Sequence, residues 1–230
     1  MAKKLSKRLL AIAEMVDQGA YLADVGSDHA LLPIHLVSTG KISWAQAIEN
    51  KTGPFLHMQS AVTDAGLSSH IGCSKSDGIS SLYDGVDEIA ICGMGGLLSC
   101  DILEAHPEKL TCIKAIIMDP HRDLIAVRKR VTALGFHIAD ETMVNEDKVF
   151  YSIIKFVKGK PTTPYTNLDL SFGPVLRKKR GETYERWIAL QLKKTNLLLN
   201  QPLSKEAREH YLVVYRALRD ELKANQSDSK

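Results

Sequence analysis

Acidic residues follow short apolar runs in the first half of the 230-residue chain, where they could bind a polar ligand. Asp24 lies in the run Tyr-Leu-Ala-Asp-Val, directly before Gly26, and a second carboxylate follows at Asp28. A carboxylate repels a diphosphate but attracts an ammonium or sulfonium group. The turn after this run therefore favours a cationic ligand. We also expect it to lead directly into a helix over 28–38 and to offer free backbone N–H groups.

The glycine pattern of this turn separates two nucleotide cofactors. A nicotinamide fingerprint requires Gly-x-Gly-x-x-Gly, but here only Gly26 is present and the later positions hold Asp28 and Leu31. Glu49 could accept both hydroxyls of a ribose, which NAD and S-adenosylmethionine share. The two carboxylates of the turn favour S-adenosylmethionine, which has no phosphate. An NAD-dependent oxidoreductase stays open as an alternative.

Polar or glycine-rich residues also follow the third and fourth apolar runs. Asp77-Gly78 offers an acid that could accept a proton from an amine, and Cys92-Gly93-Met94-Gly95-Gly96 is a flexible turn. Ligands of parallel sheets bind at the carboxyl ends of the strands, so we expect these turns to form one site. The predicted cofactor-binding residues are Asp24, Gly26, Ser27, Asp28, Glu49, Asp77, Gly78, Cys92, Gly93 and Met94.

Strands and helices that alternate along the chain position these turns. After an amphipathic first helix, strands are predicted at Tyr21–Val25, Ile42–Ile48, Ile71–Ser74, Val86–Cys92 and Ile113–Met118, with a helix after each except the third. This order is typical of a parallel sheet covered on both faces. Two further segments, Phe136–Val144 and Lys148–Val157, have no helix between them and predict an antiparallel hairpin at the sheet edge.

The last part of the chain has a different composition. A Pro- and Thr-rich linker is predicted over 158–173, and two apolar stripes beyond it predict an antiparallel, coiled-coil-like helical hairpin. Residues 1–159 carry a net charge of −3 and residues 160–230 a net charge of +6. The basic cluster Arg177, Lys178, Lys179 and Arg180 is either a solvated surface or an RNA-binding patch.

Composition limits the other possibilities. With 44% hydrophobic and 25% charged residues, the chain has the composition of an ordinary globular protein. No apolar run approaches the length of a membrane span, so a cytoplasmic location and no membrane contact are expected. The four cysteines include no Cys-x-x-Cys pair, which indicates free thiols and gives no signal for a metal site.

Several motifs taken together resemble one bacterial family. They are Asp-Val-Gly-Ser-Asp-His-Ala at 24–30, Ala-Ile-Glu at 47–49, Gly53-Pro54, Ser-Asp-Gly at 76–78, Gly-Met-Gly-Gly at 93–96 and Glu-Asp-Lys-Val-Phe-Tyr at 146–151. In this order they are similar to the tRNA (adenine-22-N1)-methyltransferases of the TrmK type. The resemblance implies a Rossmann-like class I methyltransferase domain over 1–159, which uses S-adenosylmethionine, and a tRNA-binding part over 160–230.

The same resemblance implies methylation of a ring nitrogen. Gly-Met-Gly-Gly lacks the Asn/Asp-Pro-Pro-Tyr grip on an exocyclic amine, and the N1 lone pair of adenine can attack a methyl group directly. Asp28, His29 and Met94 are the predicted catalytic residues. Asp119-Pro120-His121 differs from the Gln-Pro-Asn usual in the family, so another substrate or a silent S-adenosylmethionine- or RNA-binding module stays open. We expect a monomer or a weak homodimer.

Overall fold

A sheet of seven strands forms the centre of the molecule. The computed structural model describes the backbone of residues 5–227 and the side chains of residues 5–224. The strands are β1 (Tyr21–Val25), β2 (Trp44–Glu49), β3 (Ile71–Lys75), β4 (Glu88–Cys92), β5 (Ala115–Asp119), β6 (Phe136–Glu146) and β7 (Val149–Lys158). Their order across the sheet is β3-β2-β1-β4-β5-β7-β6. The first five are parallel, whereas β7 runs antiparallel to β5 and β6 antiparallel to β7.

The central strands form from apolar runs in which polar and apolar residues do not alternate. All five residues of β5 are buried, as are four of the five in β1 and in β4. A strand covered on both faces needs apolar side chains on both. The strand order reverses between β1 and β4, so the turns that follow these two strands diverge and leave a crevice between them.

Nine helices cover the sheet and extend beyond it in the described part of the chain. They are α1 (Lys7–Met15), α2 (Leu31–Ser38), α3 (Thr52–Asp64), α4 (Gly96–Glu104), α5 (Leu124–Ala133), α6 (Asn167–Phe172), α7 (Pro174–Lys179), α8 (Glu182–Leu199) and α9 (Lys205–Ser227), with short 3-10 helices at Asp28–Ala30 and Pro107–Thr111. Residues of α1 and α2 share one apolar core, and residues of α4 and α5 share another. None of these helices is long and apolar enough to span a membrane.

The predicted Rossmann-like parallel sheet with an antiparallel hairpin at its edge is confirmed, but two predictions for connecting segments were wrong. The helix expected over 28–38 begins only at Leu31, because His29 and Ala30 adopt left-handed backbone conformations with φ of 60° and 48°. The expected linker over 158–173 contains α6. Thr166 caps this helix: its hydroxyl accepts a hydrogen bond from the Asp169 N–H, and the Asp169 carboxylate accepts one from the Thr166 N–H.

The C-terminal helices form the antiparallel hairpin that the two apolar stripes predict. Tyr184 and Ile188 of α8 and Leu218 of α9 are buried in one apolar cluster. Phe150 of the β6–β7 hairpin packs against the same cluster. The hairpin of the sheet and the hairpin of the helices are therefore in direct contact.

A buried ion pair joins the sheet domain to the helices. Arg128 of α5 donates from Nε to Glu141 Oε1 of β6 at 2.9 Å, and its Nη1 donates to the Leu170 carbonyl oxygen, also at 2.9 Å. The other carboxylate oxygen of Glu141 accepts hydrogen bonds from the Val175 and Leu176 N–H groups of α7. The side chains of Arg128 and Glu141 are 1% and 0% exposed.

Candidate functional site

A cleft of about 320 Å³ opens where the turns after β1 and β4 diverge. Its lining includes all four cofactor residues predicted from the first turn, and two from the fourth. These are Asp24, Gly26, Ser27, Asp28, Cys92 and Gly93, together with His29 and with Arg8 of α1. The cleft therefore brings together residues that are about 70 positions apart in the sequence, at the carboxyl edge of the sheet.

Asp24 is the buried acid of this cleft. Its side chain accepts a hydrogen bond from Ser27 Oγ at 2.5 Å. Burial raises the pKa of Asp24 to about 6, and the hydrogen bond from Ser27 opposes this shift only in part. A cation would stabilise a buried carboxylate that has only one hydrogen-bond donor, because the cation replaces the hydration lost on burial.

The turn that follows Asp24 does not offer the free donors that we expected. The N–H groups of Gly26 and Ser27 both donate to the Ile48 carbonyl oxygen, and the Asp28 N–H donates to the Gly26 carbonyl. The turn is therefore tied to the end of β2. This geometry suits side-chain recognition of a cation better than backbone recognition of a phosphate.

Gly26 leaves space for Met94 against the turn. It has a φ of +77°, and a Cβ atom added here would lie 2.7 Å from Met94 Cε. The Met94 side chain thus crosses from the turn after β4 to the turn after β1. The fold thus places the predicted catalytic residue Met94 against Gly26, although Met94 itself does not line the cleft.

A second buried carboxylate lies beneath Arg8. Asp119, at the end of β5, is fully buried, and its Oδ2 accepts a hydrogen bond from Arg8 Nη1 at 2.5 Å. Its Oδ1 has no hydrogen-bond partner in the described part of the chain. Burial raises the pKa of Asp119, although Arg8 opposes the shift. Arg8 also lies over the Tyr151 ring, 5.2 Å from its centroid.

Cys92 lies between these two acids. Burial raises the pKa of its thiol well above the usual value, and the negative charges of Asp119 and Asp24 add to the shift. The thiol therefore stays protonated at neutral pH. Its environment is one that favours positive charge, because the nearby ionisable groups other than Arg8 are carboxyl groups.

The remaining predicted cofactor residues lie along the same edge but do not line this cleft. The Glu49 carboxylate accepts hydrogen bonds from the Asn50 and Lys51 N–H groups at 3.0 and 3.1 Å. Asp77 is exposed after β3. Gly78 has a φ of +54°, and a Cβ atom there would lie 2.8 Å from Ile102 Cγ2.

Three of the four residues in the predicted RNA-binding cluster already have acidic partners. Arg177 pairs with Asp169 and Glu221, and Arg180 pairs with Glu185 and Glu221. Lys179 pairs with Asp140 of β6, while Lys178 is exposed. These pairs hold α7, α8 and α9 together, so a contact with RNA by Arg177 or Arg180 stays a prediction.

Sequence reasoning missed the functional candidates that come from distant segments. Arg8 belongs to the first helix, which was predicted only as an amphipathic element, and Tyr151 to the edge hairpin. The His121 ring lies against Tyr151, with centroids 6.0 Å apart. The basic residues Lys7 and Arg8 beside an apolar stripe were a signal, but their partner Asp119 is 111 residues away from Arg8.

Comparisons with known proteins agree with this architecture. A family model described as "Methyltransferase domain" matches residues 5–154. A tRNA (adenine(22)-N(1))-methyltransferase of Bacillus subtilis is 36% identical over 203 residues, which cover 86% of this chain and 85% of that protein.

Two solved structures are similar over nearly the whole chain. One is a Streptococcus pneumoniae protein described as a tRNA (m1A22) methyltransferase, in complex with S-adenosyl-L-methionine. It has a TM-score of 0.88 and 32% identity over 95% of this chain and 100% of that one. The other is the B. subtilis m1A22 tRNA methyltransferase, with a TM-score of 0.86 and 30% identity over 95% and 99%.

Proposed function

Because this chain belongs to the family of tRNA (adenine(22)-N(1))-methyltransferases, we propose that it transfers a methyl group from S-adenosylmethionine to N1 of adenosine 22 in tRNA. The observation that carries the proposal is the cleft beside Asp24, a buried carboxyl group with a single described hydrogen-bond donor. Such a cleft favours a cationic ligand. A cytoplasmic site of action belongs to the same proposal.

The charges of the residues at the carboxyl edge suit the cofactor. Asp24 would pair with its ammonium or sulfonium charge, and Arg8 would hold its carboxylate. Glu49 would accept the ribose hydroxyls. The remaining contacts would come from Gly26, Ser27, Asp28, Asp77, Gly78, Cys92, Gly93 and Met94. The tight contact between Gly26 and Met94 supports a role for this pair in shaping the cleft.

Catalysis would depend on placement and electrostatics. The bound donor supplies an electrophilic methyl group on a positively charged sulfur. As the bond from carbon to adenine N1 forms and the bond from carbon to sulfur breaks, the positive charge passes to the purine, so no proton leaves in this step. The chain would hold N1 in line with the methyl group. Asp24 and Asp28 would favour the positive charge throughout.

The base must leave its stacked position before it can react. N1 lies on the Watson–Crick edge, which is inaccessible in a paired base. The exposed His121 ring, after β5, lies against the Tyr151 ring, which contacts Arg8, and the two rings would receive an extruded adenine. Asp28, His29 and Met94 are the proposed residues next to the reacting atoms.

A basic groove beside the edge hairpin is the proposed contact for the tRNA backbone. This groove of about 470 Å³ lies between the tip of the β6–β7 hairpin and α8. Lys148, Arg186 and Lys193 line it together with Phe150 and Leu190. The three cations are exposed, and phosphate groups would provide their counter-charges.

The hairpin connects this groove to the cleft. Met118 near the end of β5 pairs with Ile154 of β7, so Tyr151 and Phe150 extend past the carboxyl edge of β5. Neighbouring strand residues face opposite sides, and here Tyr151 contacts Arg8 while Phe150 contacts the helical hairpin. A backbone bound in the groove would therefore run beside the cleft. We propose catalysis by residues 1–159 and tRNA binding by 160–230 together with the β6–β7 tip.

The decisive experiment follows methyl transfer to one nucleotide. The full chain is incubated with labelled S-adenosylmethionine and two transcripts of one tRNA, with adenosine or guanosine at position 22. We expect 1-methyladenosine only from the first transcript. Label in tRNA would exclude a silent module. Cofactor binding without transfer to either transcript would contradict the proposal.

Charge removal tests the groove separately. The double variant Lys148→Gln/Lys193→Gln should raise the KM for tRNA about tenfold, with the Kd for S-adenosylmethionine unchanged. The slope of log KM against log salt concentration should also decrease by about 1 to 2. The matched control, Lys129→Gln/Lys160→Gln, removes two exposed lysines near the opposite end of β7. An equal effect of both variants would show that only the overall charge matters.

A further inference from the structure

Two histidines and an aspartate form a cluster at the outer rim of the cleft. Asp28, His29 and His57 each offer one ligand atom, and these atoms all lie within 4.8 Å of one another. The imidazole rings of His29 and His57 are parallel to within 1°, with centroids 5.7 Å apart, and His29 Nε2 lies 3.6 Å from Asp28 Oδ1. We propose that this cluster binds a divalent transition-metal ion, with Zn²⁺ as the reference ion.

Core packing sets the distance between the two backbone segments that carry His29 and His57. Ala30, which follows His29, and Met58, which follows His57, are both fully buried in the same apolar cluster. The 3-10 helix and α3 are therefore held against each other by residues adjacent to the candidate ligands. This packing fixes the backbone positions from which both imidazoles extend, and it keeps the two rings within reach of a shared ion when they rotate.

The donor set determines the class of metal. Two imidazole nitrogens and one carboxylate oxygen suit Zn²⁺, Co²⁺ or Ni²⁺, whereas Mg²⁺ and Ca²⁺ prefer oxygen ligands alone. Ligand atoms about 2.0–2.2 Å from a shared ion lie closer together than 4.8 Å. Rotation of the three exposed side chains can close this difference. A water molecule would complete the coordination.

Asp28 connects this site to the cleft, because its side chain lines both. An ion bound to the Asp28 carboxylate would withdraw it from the cofactor. Metal and cofactor would then weaken each other by the same factor, since coupling between two binding sites is reciprocal. This second part of the inference rests on the proposed function, whereas metal binding itself does not.

The first experiment measures Zn²⁺ binding to the metal-free full chain by calorimetry. His57→Gln should weaken the Kd for Zn²⁺ at least tenfold, because it removes one of three ligands. The control His106→Gln should leave the Kd within twofold of the wild-type value. His106 forms a similar pair with a carboxylate, 3.3 Å from Glu108 Oε1, and belongs to no described three-residue cluster. Equal Zn²⁺ affinities for wild type and His57→Gln would overturn the proposal.

Co²⁺ absorption identifies the ligands directly. Histidine and carboxylate ligands should give visible d–d bands without a charge-transfer band from thiolate to cobalt, and His57→Gln should remove the visible bands. A thiolate band would show that a cysteine such as the exposed Cys112 binds the ion instead, and would overturn the assignment.

The coupling has its own test. Saturating Zn²⁺ should weaken S-adenosylmethionine binding at least threefold in the wild type and less than 1.5-fold in His57→Gln. Equal cofactor affinity with and without Zn²⁺ in the wild type would overturn the coupling. Failure of the wild type to bind the cofactor in metal-free buffer would contradict the proposed function, while the Zn²⁺ titration would still decide the metal site.

Discussion

The buried carboxyl groups of the helical region and those of the cleft have opposite surroundings. Glu141 and Glu221, which hold the C-terminal helices in place, each accept hydrogen bonds from several donors. Asp24 in the cleft has one donor from Ser27, and Asp119 has an oxygen with no partner among the described residues. Where the fold supplies every donor, an acid stabilises structure. Where it supplies too few, the acid is available to a ligand.

The largest expected loss of stability comes from breaking the buried ion pair between Arg128 and Glu141. Arg128→Met should lower the free energy of unfolding by about 3–5 kcal/mol, because Glu141 would remain buried without its cation. Urea denaturation measures this loss. As a control, Arg219→Met removes an exposed ion pair with Asp220 and should cost less than about 1 kcal/mol. Equal losses for the two variants would remove the distinction between buried and exposed pairs.

Glu221, the second buried acid of the helical region, should affect stability and not cofactor binding. Glu221→Gln removes the charge that Arg177, Arg180 and Tyr184 share, and should cost about 2 kcal/mol of stability. Its affinity for S-adenosylmethionine should stay within twofold of wild type. Glu209→Gln, which changes an exposed acid of α9, is the control. A large loss of cofactor affinity in Glu221→Gln would mean that the two regions are not separate.

Asp24, in contrast to Glu221, should affect cofactor binding and not stability. Asp24→Asn should weaken S-adenosylmethionine binding at pH 7.5 at least tenfold, or about 1.4 kcal/mol, without lowering the stability of the free chain. Calorimetry and urea denaturation measure the two quantities on the same sample. A loss of stability comparable to that of Arg128→Met would place Asp24 among the structural acids.

The pH dependence sharpens this contrast. Because burial raises the pKa of Asp24 from 3.8 to about 6, the folded chain binds this proton more tightly than the unfolded chain. Its contribution to stability therefore falls by up to about 3 kcal/mol as the pH rises from 4 to above 6. Cofactor affinity should instead rise with pH, because only the ionised Asp24 attracts the cation. Below pH 6 the affinity should therefore fall about tenfold for each pH unit. Asp24→Asn should remove this part of the stability change and the fall in cofactor affinity, and an unchanged profile in the variant would assign them to another group.

The smallest effect distinguishes two glycines with the same backbone conformation. Gly26 and Gly19 have φ of +77° and +76°, but a Cβ atom at Gly19 meets no described atom within 4 Å. Both Gly→Ala variants should lose about 1 kcal/mol of stability through backbone strain. Only Gly26→Ala should also weaken cofactor binding, by about threefold to tenfold, because it displaces Met94. Equal cofactor affinities in the two variants would show that Met94 does not shape the site.

The alternation of strands and helices and the acids at the strand ends were predictable from the sequence. Apolar runs such as 115–118 and the turn residues that follow them are local signals, and local signals set secondary structure. The resemblance of motifs added the family. The left-handed conformations of His29 and Ala30 were not predictable, because contacts with α3 and not local propensity hold these residues.

The sequence by itself thus determined the order of the elements and the first-turn acids, because these depend on neighbours in the chain. Only the tertiary structure decided which acids lack donors. It placed Arg8 on Asp119, His57 beside His29 and the hairpin tip against α8. These pairings depend on packing between segments that are far apart in the sequence, and each residue alone carries no sign of its partner.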